Sequence, residues 1–259
     1  MKRLIQKLCN VCGYTISKHS KKTGSTTDIT TIIPEISESE KEMITTSLQY
    51  SMTNPERMWA IVQAMKYLVG KKIEGDIVEC GVWKGGNILL FSLLLESLNT
   101  EKTVWAYDTY EGMSDPTDND VDFRGKHSKE LLVSAPRIAE EGTHNIWCYS
   151  TLDEVVGNVK RHAQNSDAIH FIKGKVEETL MDEKNLPEKI SLLRIDTDWY
   201  ESTKICLEVL YPRLVSGGVL ILDDYGHWKG SRKAFDEYFD GKKVFLHRVD
   251  YTCRLMIKE

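Results

Sequence analysis

"LLRIDTDWYEST" at residues 192–203 and "GGVLILDDYGHW" at 217–228 are two apolar runs that each stop abruptly at acids. Each run has the length of a buried strand. Asp196 closes the first, with Asp198 just after it, and Asp223 and Asp224 close the second. The 27 residues from Asp196 to Asp223 suit one helical crossover, so the two strands are expected to lie side by side in a parallel sheet. Neighbouring parallel strands converge at their carboxyl ends, where open α/β sheets bind ligands. Asp196, Asp223 and Asp224 should therefore meet. Three carboxylates packed together repel one another unless a cation compensates. A set of oxygen ligands alone suits Mg²⁺ or a similar hard cation. On this reading Asp196→Asn and Asp223→Asn each abolish metal-dependent chemistry while leaving the fold intact. The plain alternative is that these acids cap helices or sit in loops.

The same alternation runs outward through the chain. Strands are expected at "DIVECGV", "TVWAYD" (103–108), "AIHFIKG" (168–174), "ISLLRID" (190–196) and "GVLILDD" (218–224), with helices near 86–98, 152–164, 201–213 and 230–240. "KVFLHRV" and "CRLMIK" end the chain as a hairpin that adds an antiparallel strand. Strands alternating with helices give an α/β fold, a doubly wound and mostly parallel seven-stranded sheet. Upstream, "PERMWAIVQAMKYLVG" places Met58, Ile61, Val62, Met65 and Leu68 at helical spacing, with Asn54 and Pro55 as a start and Gly70 as a stop. Residues 1–35 read as a basic N-terminal extension, 36–70 as a helical segment, and 71–259 as the catalytic domain.

A glycine turn, "VECGVWKGGN" (78–87), joins the first strand to its helix. Gly81, Gly85 and Gly86 allow close approach of a ligand, and the helix start offers free N–H groups. Asp108 ends the second strand, the position that binds ribose hydroxyls in doubly wound folds. The spacing is not the G-x-G-x-x-G of dinucleotide binders, and Glu79 stands ahead of it. A carboxylate there repels a pyrophosphate and attracts an amine or a sulfonium. The charge favours S-adenosylmethionine over a dinucleotide.

Composition narrows the class. The 259 residues are 41% apolar and 28% charged, with net charge −5. Six basic residues, Lys2, Arg3, Lys7, Lys18, Lys21 and Lys22, precede the first acid, Asp28. The remainder carries 28 basic against 39 acidic residues, or −11, which argues against nucleic acid as a partner. No apolar run reaches membrane-spanning length, and no cleavable signal is evident. A cytoplasmic enzyme is expected. Cys80 and Cys206 read as buried free thiols. Cys9 and Cys12 form half a zinc knuckle without the second pair.

Other signals are weaker. Tyr200 and Lys204 match the catalytic pair of short-chain dehydrogenases, a spacing common by chance. Asp196-x-Asp198 matches the metal motif of many glycosyltransferases, an alternative that leaves the glycine turn and Asp223–Asp224 unexplained. A non-catalytic protein that keeps the cofactor fold is a further alternative, against which the converging acids speak. His227 is a candidate base; His127 and His170 are weaker ones. Trp199 and Trp228 are candidates for an apolar wall beside the site.

"MTNPERMW", "GDIVECGVWKGGN", "WAYDTYEGM", "FIKGKVEETL", "LLRIDTDWYEST" and "LYPRLVSGGVLILDDYGHWKGSRKAFDEY" together resemble the macrocin/mycinamicin O-methyltransferase (TylF/MycF) family over about residues 50–240. The resemblance implies a class I, Rossmann-like methyltransferase in which residues 36–70 are an N-terminal helical lid and 71–259 bind S-adenosylmethionine, dependent on that cofactor and on Mg²⁺. It implies O-methylation of a sugar hydroxyl on a small-molecule or glycan acceptor. Asp196, Asp223 and Asp224 would hold the metal. Glu79, Gly81, Val82, Trp83, Lys84, Gly85, Gly86, Asn87, Asp108 and Gly174 would hold the cofactor, and Tyr50, Met52 and Thr53 would form part of the lid. Asp196 is the first candidate for the proton acceptor and His227 the second. A homo-oligomer is expected. Residues 114–146 do not align, and acceptor choice is expected to reside there.

Overall fold

The computed structural model describes residues 28–140, 143–164 and 166–259. Cys9, Cys12 and the six leading basic residues lie outside them. Seven strands form one sheet: β1 (Asp76–Cys80), β2 (Val104–Asp108), β3 (Ile169–Lys173), β4 (Ile190–Ile195), β5 (Leu214–Leu222), β6 (His247–Arg248) and β7 (Arg254–Ile257). Their order is β3-β2-β1-β4-β5-β7-β6. The first five are parallel, and β7 runs antiparallel to both β5 and β6. The strand order reverses between β1 and β4, so the crevice beyond their carboxyl ends is the place for a ligand. The expected hairpin is present, but "KVFLHRV" contributes only His247 and Arg248 to it.

Two helical layers cover the sheet. On one side lie α1 (Ile29–Ile32), α2 (Glu38–Leu48), α3 (Pro55–Gly70), α4 (Gly86–Ser97) and α6 (Leu152–Lys160). Their apolar faces pack on Ile77, Val104, Ala106, Leu192, Val219 and Ile221. On the other lie α7 (Val176–Thr179), α8 (Tyr200–Leu210) and α9 (Lys229–Tyr238), over Val78, Cys80, Leu193, Ile195, Leu220 and Leu222. Alternate residues of each strand thus enter different cores, as the period of two requires. Cys80 and Cys206 are buried free thiols.

Local chemistry sets the helix ends. Asn54 caps α3 by accepting the Arg57 N–H at 2.9 Å, with Pro55 at the first turn. Ser37 and Glu40 form a capping box on α2. α4, "GNILLFSLLLES", is apolar on all sides because the sheet and the neighbouring helices enclose it.

Residues 28–36 join this core through Ile29, Ile33 and Ile36. Within the 36–70 segment, Met58, Val62, Met65 and Leu68 of α3 are completely buried. The polar stretch after β2 also has anchors. It carries α5 (Ser128–Ser134), and its Asp120 is completely buried, accepting the Tyr200 N–H at 2.7 Å and the Thr117 N–H at 2.6 Å. Asp122 bridges to Trp228.

Met65 tests whether α3 belongs to the core. Met65→Ala is expected to cost about 2–5 kcal/mol, seen as a lower urea midpoint at an unchanged slope. A loss below about 0.5 kcal/mol, the range of surface substitutions, would contradict this packing.

Candidate active site

The register places the site's charges. Glu79 of β1 pairs with Arg194 of β4, and Arg194 pairs with Ile221 of β5. Asp196 and Asp223 each follow two residues on, so all four side chains leave the same face of the sheet. That face is apolar along its length (Ile77, Leu192, Val219, Ile221) and turns charged only at its carboxyl end.

Arg194 lies at the centre, 1% exposed. Its Nη1 donates to Glu79 Oε1 at 2.6 Å and to Asp196 Oδ2 at 2.7 Å, and its Nη2 donates to Asp223 Oδ1 at 2.5 Å. A second arginine reaches in from α3: Arg57 Nη1 donates to Asp223 Oδ2 at 2.7 Å, and its Nε donates to Asp250 Oδ2 at 2.8 Å. Asp250 sits in the β6–β7 turn and also accepts the Thr252 and Cys253 N–H groups. The sequence reading found neither arginine. The available signal was a lone arginine inside the apolar run "LLRID", two residues before Asp196 and therefore on the same face.

Asp196, Asp223 and Asp224 do converge, each with a carboxylate oxygen within 4.8 Å of the others. Their repulsion is not left wholly to a cation, since Arg194 and Arg57 hold both oxygens of Asp223. The expectation that Asp223→Asn leaves the fold intact is therefore corrected: this carboxylate joins three elements. Asp224 has no such partner. Burial and the charges of Asp198, Asp196 and Asp223 push its carboxyl well above the usual range. Asp198 holds a left-handed backbone conformation, φ 61°, which points its N–H at Asp224 Oδ2 at 3.1 Å. Enclosure and the neighbouring Asp196 raise the Asp198 carboxyl to about 7. Five acids here face two arginines, counting Glu79. An all-oxygen donor set with excess negative charge fits a hard divalent cation.

The glycine turn forms the other wall. A Cβ on Gly81 would lie 1.8 Å from the Asp196 carbonyl oxygen, so only glycine fits there. Asp108 lies beneath the turn, where Oδ2 accepts from Val82 N at 2.7 Å and Trp83 N at 3.0 Å, and Oδ1 accepts from Tyr110 N at 2.7 Å. It shapes the turn as well as facing the cleft. Glu79 is 1% exposed, and burial raises it to about 7 despite Arg194. Its Oε1 accepts from Asn87 Nδ2 at 3.0 Å, while Glu79 Oε2 and Asn87 Oδ1 are buried without donors. Two orphaned acceptors beside a negative group suit a cationic amine.

An open cleft of about 510 Å³ joins the two walls. Met52, Thr53, Gly81, Val82, Trp83, Asn87, Asp108, Asp196, Asp223, Asp224 and His227 all line it. A smaller cavity of about 70 Å³ continues past Gly81 and Asp108 to Gly174. Four expected residues point elsewhere. Lys84 faces Glu154 at 3.7 Å, and Gly85 is the N-cap of α4, against Val155. Gly86 donates its N–H to the Tyr50 carbonyl at 3.0 Å, and the Tyr50 hydroxyl bonds His162 and Arg161. His227 is half-buried, with Nδ1 3.1 Å from the Tyr251 hydroxyl, and burial lowers its pKa. Trp228 lines the cleft, while Trp199 packs edge-on against it and bonds Ser114. His127 precedes α5 and His170 stacks on Trp105. Tyr200 bonds Glu237, away from the cleft, which removes the dehydrogenase pair.

The model of the macrocin-O-methyltransferase (TylF) family matches residues 17–258. The chain belongs to this family. Its activity is S-adenosylmethionine-dependent O-methyl transfer, which sets aside the glycosyltransferase and non-catalytic alternatives. It is 29% identical over 191 residues to a demethyldecarbamoylnovobiocin O-methyltransferase of Streptomyces niveus, covering 73% of this chain and 67% of the relative. It is 30% identical over 185 residues to an 8-demethyl-8-(2,3-dimethoxy-alpha-L-rhamnosyl)-tetracenomycin-C 4'-O-methyltransferase of Streptomyces olivaceus, covering 69% of this chain and 64% of the relative. Among solved structures, the O-methyltransferase NovP matches with a TM-score of 0.68 at 27% identity, covering 81% of this chain and 82% of that one. Among the described residues, no helix is long and apolar enough to cross a membrane.

The electrostatics make three predictions for cation-free protein. Asp223→Asn is expected to destabilise by about 1–3 kcal/mol, since it takes one charged acceptor from each of two arginines that keep Glu79, Asp196 and Asp250. Asp224→Asn, which replaces a carboxyl that its surroundings already hold toward the neutral form, is expected to be neutral or stabilising, and urea unfolding measures both. Asp198 and Glu79 have folded values near 7, above their unfolded ones. Their contribution is full below about pH 4 and is lost as pH rises through about 7. The melting temperature is therefore expected to fall between about pH 5 and about pH 8, and saturating Mg²⁺ is expected to narrow that fall. A melting temperature that rises over this range would contradict the charge assignment.

Proposed function

We propose that this enzyme transfers a methyl group from S-adenosylmethionine to a sugar hydroxyl of a glycoside, polysaccharide precursor or natural product. Asp196, Asp223 and Asp224 would hold Mg²⁺. The observation that carries the reading is the meeting of these carboxylates in the cleft whose opposite wall is the glycine turn. The relative whose name specifies a rhamnosyl group supports a sugar as acceptor.

Glu79 and Asn87 offer unpaired acceptors for the donor's amine. Asp108 and the Gly81–Trp83 turn would bind its ribose, and the cavity at Gly174 would take the adenine. When bound, the cation would lower the pKa of the acceptor hydroxyl and orient it. Asp196 takes the hydroxyl proton as oxygen attacks the methyl and sulfur leaves. No protein donor among the described residues bonds its Oδ1. His227 is the second candidate, because it lines the cleft and burial favours its neutral form. The walls supply alignment of oxygen, methyl and sulfur, the larger part of the acceleration. Residues 49–54, with Ser51, Met52 and Thr53 at the cleft, would act as its lid.

The test is mass spectrometry of a panel of glycosides after incubation with methyl-labelled S-adenosylmethionine, with Mg²⁺ or with EDTA. Label is expected at one sugar hydroxyl, lost in EDTA and restored by Mg²⁺. Asp196→Asn is expected to lower turnover about 10²-fold or more, and His227→Asn less than tenfold. Full turnover in EDTA would remove the cation and leave His227 as the base.

A further inference from the structure

Glu79 of β1 lies buried behind Asn87, which lines the donor end of the cleft, and Asp196 and Asp223 follow β4 and β5 at the cation end. One planar group touches all three. The Arg194 guanidinium gives one nitrogen to Glu79 and Asp196 together and the other to Asp223, at 2.5–2.7 Å. It is 1% exposed, and the paired strands fix its backbone on both sides. Its donors leave in a rigid fork, so moving one carboxylate requires moving the others or breaking a buried charge pair.

We propose that Arg194 is the positioning residue that sets the donor end and the cation end of the cleft in a single geometry. The proposal rests on the reading of Glu79 as the amine's partner and of the three aspartates as the cation's ligands. Arg194 touches neither ligand. It acts through the carboxylates it orients, as groups that bond to metal ligands commonly do. A lysine keeps the charge but presents one compact ammonium, which cannot span carboxylates from three strands.

The experiment is calorimetric titration of the full chain with S-adenosylhomocysteine and, separately, with Mn²⁺ as the probe cation. Thermal melting verifies that each variant is folded. Arg194→Lys is expected to weaken both affinities together, by about 10–100-fold for Mn²⁺ and by a similar factor for S-adenosylhomocysteine. Asn87→Ala is expected to weaken only the nucleoside ligand, and Asp224→Asn only Mn²⁺. A folded Arg194→Lys that binds both as the wild type does would make Arg194 a plain counter-ion and overturn the proposal. Loss of one affinity alone would overturn it too, because the two ends would then be set separately. Should Arg194→Lys not fold, Glu79→Gln decides: a Mn²⁺ affinity about tenfold weaker, from a residue outside the cation's ligands, supports the proposal, and an unchanged one overturns it. Wild type that binds S-adenosylhomocysteine but no Mn²⁺ would instead remove the cation reading, and the joint geometry with it.

Discussion

A buried arginine on the central strand is the constraint around which this site is built. Arg194 is enclosed on every side, and a guanidinium cannot shed its charge on burial. It therefore requires carboxylates on the neighbouring strands, and Glu79, Asp196 and Asp223 provide them. The pairings tie the carboxyl ends of β1, β4 and β5 together where the strand order reverses, adding to the main-chain bonds from Asp196 N–H to the Cys80 carbonyl and from Asp223 N–H to the Ile195 carbonyl. Arg57 extends the network by bonding Asp223 and Asp250, which attaches α3 and the β6–β7 turn to the same edge.

The charge left over is as informative as the charge that is paired. Among the described residues Asp224 and Asp198 have no cationic partner, and burial with the neighbouring carboxylates raises both toward the protonated form. Glu79 keeps one oxygen without a donor although Arg194 holds the other. A site made only for stability would gain nothing from such groups, since an unpaired buried acid costs free energy. Asp198 and Asp224 line one end of the cleft, suited to a divalent cation, and Glu79 lies behind Asn87 at the other, suited to an amine. The shape of the cleft and the family membership agree on a charged methyl donor and a hydroxyl acceptor.

Most elements were legible because each carried its own local signal. The apolar runs at 192–195 and 219–222 have strand length and stop at acids, and the expected strands and helices fall close to the observed ones. Asn54 with Pro55 marked a helix start and Gly70 its stop. The failures share a cause. Arg194 and Arg57 are far apart in the chain, and their meeting on Asp223 follows from strand register and helix docking. The resemblance placed Tyr50 in the lid, yet its hydroxyl bonds His162 and Arg161 while its carbonyl accepts the Gly86 N–H.

The sequence by itself determined the alternation of strands and helices, the glycine turn, and the acids at the strand ends, for these depend on local period and on a chain that reverses direction at each connection. It also determined the charge character that sets a sulfonium donor above a dinucleotide. Only the tertiary structure decided which acids are paired. Coulomb energy depends on distances of a few ångströms and on burial, and both are fixed by strands brought together from across the chain. Hence Asp223 is a structural anchor as well as a candidate ligand, while Asp224, its neighbour in sequence, has no arginine partner among the described residues and is held toward its protonated form.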